Sequence, residues 1–358
     1  MRALGWGSVL SALCIALSSC SGGLFYGGQA RVGSLPPPPL SLIWQQRLDA
    51  PPQGNALDAN PLLLQMSTSA ALYAYDLWSG ERLGKRRFDD GICGKPVGAD
   101  DLLLFGTRGK KPALVAWDRR EEETRWHIAG VFCLPSVARR DTLFVVSERG
   151  ALRALDMKDG APLWERALEG AVRVGPSVED GRLFIGDGAG RVLALRVGDG
   201  SQAWRDSLDG AVRTRPLVGD GHLWVGTASG EIASLNAATG QVQWRTRIGG
   251  LPTPALARQR GVLAVGSVDR MVYGLDEDSG TLRWTFATEG VVRASPAGHG
   301  GVFYIASSDG HLYALDARQG QLLWKFRLDG PVWEDIALVG ETLVVATEKK
   351  TLYVFGRR

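Results

Sequence analysis

The sequence predicts an all-β chain folded as an eight-bladed β-propeller, closed by an N-terminal strand that completes the last blade. Three observations predict it. Tryptophan recurs at Trp44, Trp126, Trp164, Trp204, Trp244, Trp284 and Trp324, and from Trp164 onward the steps are all 40 residues. Glycine is abundant, 47 residues of 358, as expected for a chain with many tight turns. Short alternating apolar runs, such as residues 183–186 and 302–305, alternate with Gly/Asp turns, and helical apolar stripes are missing beyond the N-terminus.

The N-terminal segment stands outside the fold. Residues 5–17 form an apolar stretch too short to span a bilayer comfortably as a helix. It ends in Leu17-Ser18-Ser19-Cys20, which resembles the bacterial lipobox. The resemblance implies a signal peptide over residues 1–20, cleaved before Cys20, whose thiol then carries lipid. Ser21 after the cysteine is similar to the sorting pattern of outer-membrane lipoproteins. Residues 21–41 are rich in Gly, Ser and Pro, with four consecutive prolines from Pro36 to Pro39. Such a stretch has little apolar surface to bury, so it reads as a tether. Residues 42–358 then form the propeller.

Each unit repeats in the same order. A Pro (Pro96, Pro135, Pro176, Pro216, Pro254, Pro296) opens a short run, and a turn and an alternating apolar run follow. Then comes a triplet such as Ala154-Leu155-Asp156 or Ala314-Leu315-Asp316, a Gly four residues after the Asp, and the Trp four residues after that Gly. Gly84 stands where one further Trp would fall, and the unit around Ala116 lacks the Gly. A unit of about 40 residues with four short strands fits a propeller blade and disfavours helical solenoids. The chain begins with a Trp-bearing strand and ends with a three-strand group. The orphan first strand therefore has to complete the eighth blade.

Seven tryptophans at one structural position read as packing elements between blades, each burying roughly 150–250 Å². The Asp residues of the triplets (Asp76, Asp118, Asp156, Asp276, Asp316) read as turn caps, because a carboxylate just before a Gly can accept the N–H groups of the turn.

The pattern Ala-Leu-Asp-x-x-x-Gly-x-x-x-Trp, as in residues 314–324, resembles the tryptophan-docking repeat of pyrroloquinoline-quinone-type propellers, over nearly all of residues 42–356. One branch of that group holds a quinone and calcium in its central funnel and works as a dehydrogenase. The other is the BamB family of outer-membrane lipoproteins, which binds no cofactor. The lipobox, tether, blade count and modest length are similar to the BamB branch. That resemblance implies a non-catalytic scaffold, anchored to the outer membrane by lipid, facing the periplasm and binding BamA during assembly of β-barrel outer-membrane proteins.

The residues themselves speak against chemistry. The dehydrogenase branch needs an adjacent Cys pair and long inserted loops, and neither occurs. The four His residues show no metal spacing, and no nucleophile-elbow or phosphate-loop motif is present. No catalytic, cofactor or metal residue is expected, and a formal charge of +3 gives no reason to expect nucleic acid. The alternatives are a propeller lipoprotein that binds another protein or a small ligand, and, further off, a quinone-dependent oxidoreductase.

Two features stand out. Cys93 and Cys133 are the only cysteines beyond Cys20, and each lies just before the Pro that opens an inner strand in neighbouring blades. In an oxidising compartment they form either a disulfide or two buried thiols. Arg173, Arg213 and Arg293 each precede such a Pro by three residues, with Arg215 nearby. Equivalent positions cluster on one face, so these arginines predict a basic mouth suited to carboxylates on a partner loop. The alternative is local neutralisation by Glu169, Asp209 and Glu289, each four residues earlier. The series is incomplete: Leu251 breaks it in one blade, and Trp333 and Glu334 replace it in another.

Overall fold

The structure is a computed structural model, and it describes residues 34–59, 61–147 and 150–357. These residues form eight four-stranded antiparallel sheets. In seven of them four consecutive strands pair in order, giving blade 1 (57–87), blade 2 (92–129), blade 3 (137–167), blade 4 (177–207), blade 5 (217–247), blade 6 (257–287) and blade 7 (297–327). Blade 8 takes three strands from residues 337–356 and its outermost strand from Ser41–Arg47. That strand runs antiparallel to Thr351–Gly356, with Ser41 opposite Gly356 and Arg47 opposite Thr351. The expected closure is therefore the one observed.

The apolar pattern follows from this arrangement. The middle strands of a blade lie between two neighbours, so both faces are covered. Leu62–Met66, Val262–Gly266 and Thr351–Gly356 are buried at every position. The outermost strands alternate because one face meets solvent, as in Leu282–Ala287. The core is divided accordingly into eight apolar clusters, one at each interface between neighbouring blades. Short innermost strands, such as Leu57–Ala59 and Ala337–Val339, touch their neighbours around a central channel.

The repeated tryptophans lock each blade onto the next. Trp204 of blade 4 donates its Nε1–H to the carbonyl of Ala237 in blade 5 at 3.0 Å, and its ring lies on Gly240. Gly240 has φ +81°, and a Cβ there would stand 2.5 Å from the indole. Trp44, Trp126, Trp164, Trp244 and Trp284 repeat the contact, donating to Leu77, Met157, Val197, Glu277 and Ala317. Trp324 packs edge-on against Phe355 of blade 8. The glycine thus serves twice, by adopting a positive φ and by leaving room for the ring.

The exception explains itself. Gly84 of blade 1 puts no indole on blade 2, and blade 2 is the unit without the glycine: Glu122 holds that turn position at φ 54°. With no ring to accommodate, a side chain is tolerated. Trp117, Phe105 and Phe88 fill the interface between blades 1 and 2 instead.

The triplet carboxylates cap turns as expected. Asp76 Oδ1 accepts the N–H groups of Trp78 and Ser79, Asp316 Oδ1 those of Arg318 and Gln319, and Asn236 does the same in blade 5. The segment read as tether enters the description at Ser34. From there Leu35 and Leu40 are buried in the cluster between blades 7 and 8. Trp204→Ala should lower the unfolding free energy by about 3–5 kcal/mol. Gly240→Val should act in the same direction by displacing the same ring. Denaturant titration checks both, and a change under about 1 kcal/mol in both would contradict the docking role.

Candidate functional site

The 40-residue register places one residue of every blade at the same position on one end of the channel. In chain order these are Gln53, Cys93, Cys133, Arg173, Arg213, Thr253, Arg293 and Trp333. The backbone confirms the equivalence. Gln53, Arg213 and Thr253 donate their N–H groups to the carbonyls of Met66, Gly226 and Gly266 at one constant offset, and Cys93 pairs with Gly106 at that same offset. Two sequence features that looked separate, the cysteines and the arginines, therefore occupy one ring. The register also corrects the sequence reading. Thr253, not Leu251, stands at the arginine position of its blade, buried and donating its Oγ1–H to the carbonyl of Ala255 at 3.0 Å.

Cys93 and Cys133 are joined in a disulfide, with their Cα atoms 4.9 Å apart. The bridge ties blade 2 to the segment that leads into blade 3. Arg108 donates its Nε–H to Cys133 Sγ at 3.2 Å.

Arg173, Arg213 and Arg293 line one cavity of about 510 Å³ at the mouth, together with Leu251, Val268 and Trp333. Arg173 and Arg293 are exposed, and the Arg293 guanidinium lies over the Trp333 ring at 5.1 Å. Trp333 in turn donates its Nε1–H to Glu348 at 2.7 Å. Leu251 and Val268 leave 37% and 38% of their surface exposed, so the mouth is apolar as well as basic. Arg213 is half-buried, and its Nε has no hydrogen-bond partner among the described residues.

Local neutralisation does not occur. Glu169 is held by Arg191 and Arg205, and Asp209 by Arg247 at 2.8 Å. Among the described residues none of the three mouth arginines forms an ion pair. Glu169 and Asp209 are thus engaged by other arginines rather than by Arg173 and Arg213.

Arg215 is separated from these three. It lines a second, inner cavity of about 580 Å³, which shares Arg173, Val174 and Pro254 with the first. Sequence reasoning missed two residues of that cavity. Lys95 of blade 2 pairs with Asp335 of blade 8 at 2.5 Å and lies 3.9 Å from Glu334. Burial raises the Asp335 carboxyl, but Lys95 and the Ser295 N–H outweigh it and hold the group below the usual range. For Glu334 burial prevails and the carboxyl is pushed up. Nothing in the local sequence announces a pair 240 residues apart.

Among the described residues no group of three or more His, Cys, Asp or Glu side chains is placed to hold a metal ion. Cys20 and the segment read as a signal peptide, residues 1–20, lie outside the described residues.

Eight docked blades around a channel with an unneutralised arginine mouth define a tryptophan-docked propeller of the pyrroloquinoline-quinone-repeat type. The profile of the family described as outer membrane protein assembly factor BamB matches residues 127–259 and 268–357, and the chain belongs to that family. Among solved structures, the chain is similar to BamB from Moraxella catarrhalis, with 20% identity and a TM-score of 0.77, covering 88% of this chain and 99% of that one. It is also similar to the computationally designed Ika8 protein, with 15% identity and a TM-score of 0.76, covering 87% and 98%. At these identities the likeness concerns the fold. No curated protein sequence matches the chain.

Replacing both cysteines (Cys93→Ser with Cys133→Ser) should lower the unfolding free energy by about 2–4 kcal/mol. Adding reductant should then no longer shift the urea midpoint. A double variant as stable as the parent would show that the bridge does not form.

Proposed function

We propose that this protein is a non-catalytic scaffold of the outer-membrane β-barrel assembly machinery, anchored to the outer membrane by lipid on Cys20 and facing the periplasm. Its partner on this reading is BamA. The observation that carries the reading is the convergence of Arg173, Arg213 and Arg293 on one open cavity without a carboxylate of their own. A guanidinium presents a planar fork that matches a carboxylate in two parallel hydrogen bonds, so the mouth suits a partner loop carrying acidic side chains. Exposed Leu251, Val268 and Trp333 add apolar contact beside those charges, the combination of aromatic and arginine found at energetically dominant interface positions. Family membership supports the same assignment, since the matching family is described by a role in outer-membrane protein assembly.

The arginines sit on loops that lead into the inner strands, so charge reversal there leaves the docked core alone. Affinity purification of the lipidated protein from mildly cross-linked outer membranes should recover BamA. The combined variant Arg173→Glu, Arg213→Glu, Arg293→Glu should lose it while keeping its thermal unfolding midpoint. Recovery of BamA by both proteins would remove the interface from this face, and recovery by neither would remove BamA as the partner.

A further inference from the structure

The inner cavity has a charge imbalance that the docking reading does not use. Lys95 is satisfied by Asp335 and lies beside Glu334. Arg215 is not satisfied in this way. Its Nε–H is shared between the carbonyl of Pro176 at 3.1 Å and Ser177 Oγ at 3.2 Å, and its two Nη groups have no hydrogen-bond partner among the described residues. Burial alone acts on this group and holds it below the ordinary arginine value, with no neighbouring charge to oppose the effect. A half-buried guanidinium without a counter-charge carries a desolvation cost, and that cost falls when an anion takes up its free donors. The same cavity contains a buried polar atom without a partner, Asn55 Oδ1. Pro96, Pro254 and Ile336 supply apolar wall. The volume, about 580 Å³, lies in the range of small-ligand sites.

We propose that the inner cavity binds a small free oxyanion, a phosphate or a hydroxy-carboxylate, held by the Arg215 fork with Arg173 at the cavity's outer end and Asn55 accepting from a ligand hydroxyl. Hydrogenphosphate and malate both carry the required pair of groups, an anionic oxygen set and an O–H. The site goes beyond partner docking and stands without it, because Arg215 does not line the mouth cavity.

Isothermal calorimetry on the full-length protein tests it, with inorganic phosphate in one arm and malate in the other, at constant ionic strength. Saturable one-to-one binding in either arm is expected, and which arm responds assigns the oxyanion. Arg215→Met should weaken that binding roughly tenfold or more, as loss of a charged hydrogen-bond partner does. Asn55→Ala should weaken it without removing it. Should Arg215→Met not fold, Arg215→Lys, which keeps the charge and loses the fork, takes its place with the same expected direction. A folded wild-type protein that binds neither anion, or binding unchanged in the Arg215 variant, overturns the proposal. Neither result bears on BamA recovery.

Discussion

A four-stranded twisted sheet with two apolar faces cannot be stable alone, and that constraint governs the whole molecule. Each blade needs a neighbour on both sides. Such a requirement is met for all eight only if the ring closes. Closure rests on Ser41–Arg47 pairing with Thr351–Gly356, two segments from opposite ends of the propeller. The tryptophan–glycine contact repeats the lesson on a smaller scale. One blade supplies the ring and the carbonyl acceptor sits in the next, so the bond exists only between blades. Where the ring is missing, at Gly84, the matching glycine is missing too, at Glu122. The two replacements face each other at one interface.

Because the register is so regular, variation at a single position becomes a ring of chosen side chains. Around the mouth that position carries a disulfide in two blades, arginine in three, and Gln53, Thr253 and Trp333 in the others. The fold fixes where these side chains stand, and the residue type decides what they do. The disulfide stiffens one side of the mouth. The arginines stand there without a carboxylate partner, because Glu169 is held by Arg191 on the third strand of blade 4 and Arg205 on its outermost strand, and Asp209 by Arg247 on the outermost strand of blade 5. A nearly neutral protein thus carries a locally basic opening.

Much of this was legible in the sequence, for a physical reason. Strand order, blade count, closure and docking all follow from spacing, and spacing is a property of the chain alone. The turn caps were legible for the same reason, since Asp76 and Asp316 bond to groups two and three residues away. What stayed hidden depends on contacts made only after closure. Lys95 of blade 2 reaches past blade 1 to Asp335, which leads into blade 8. Glu169 pairs with Arg205 rather than with Arg173, four residues on. Arg215 looked like a fourth member of the mouth and lies deeper, because two residues along a strand-bound loop change the level in the channel. Leu35 and Leu40 bracket a proline run that reads as solvated, yet they find cover between blades 7 and 8. The offset at Thr253 is legible in the sequence, since the 40-residue step from Gln53 runs through every blade.

Non-covalent closure holds all eight blades and, with them, the basic mouth. Equilibrium urea unfolding of a chain whose propeller starts at residue 49, followed by tryptophan fluorescence and far-ultraviolet circular dichroism against the intact protein, tests it most directly. Loss of the single cooperative transition is expected, with signal change beginning at low urea in both probes, since blade 8 loses its outer strand and Trp44 leaves Gly80. An unchanged midpoint and slope in the shortened chain would contradict it, and would mean that the ring stands without its closing strand.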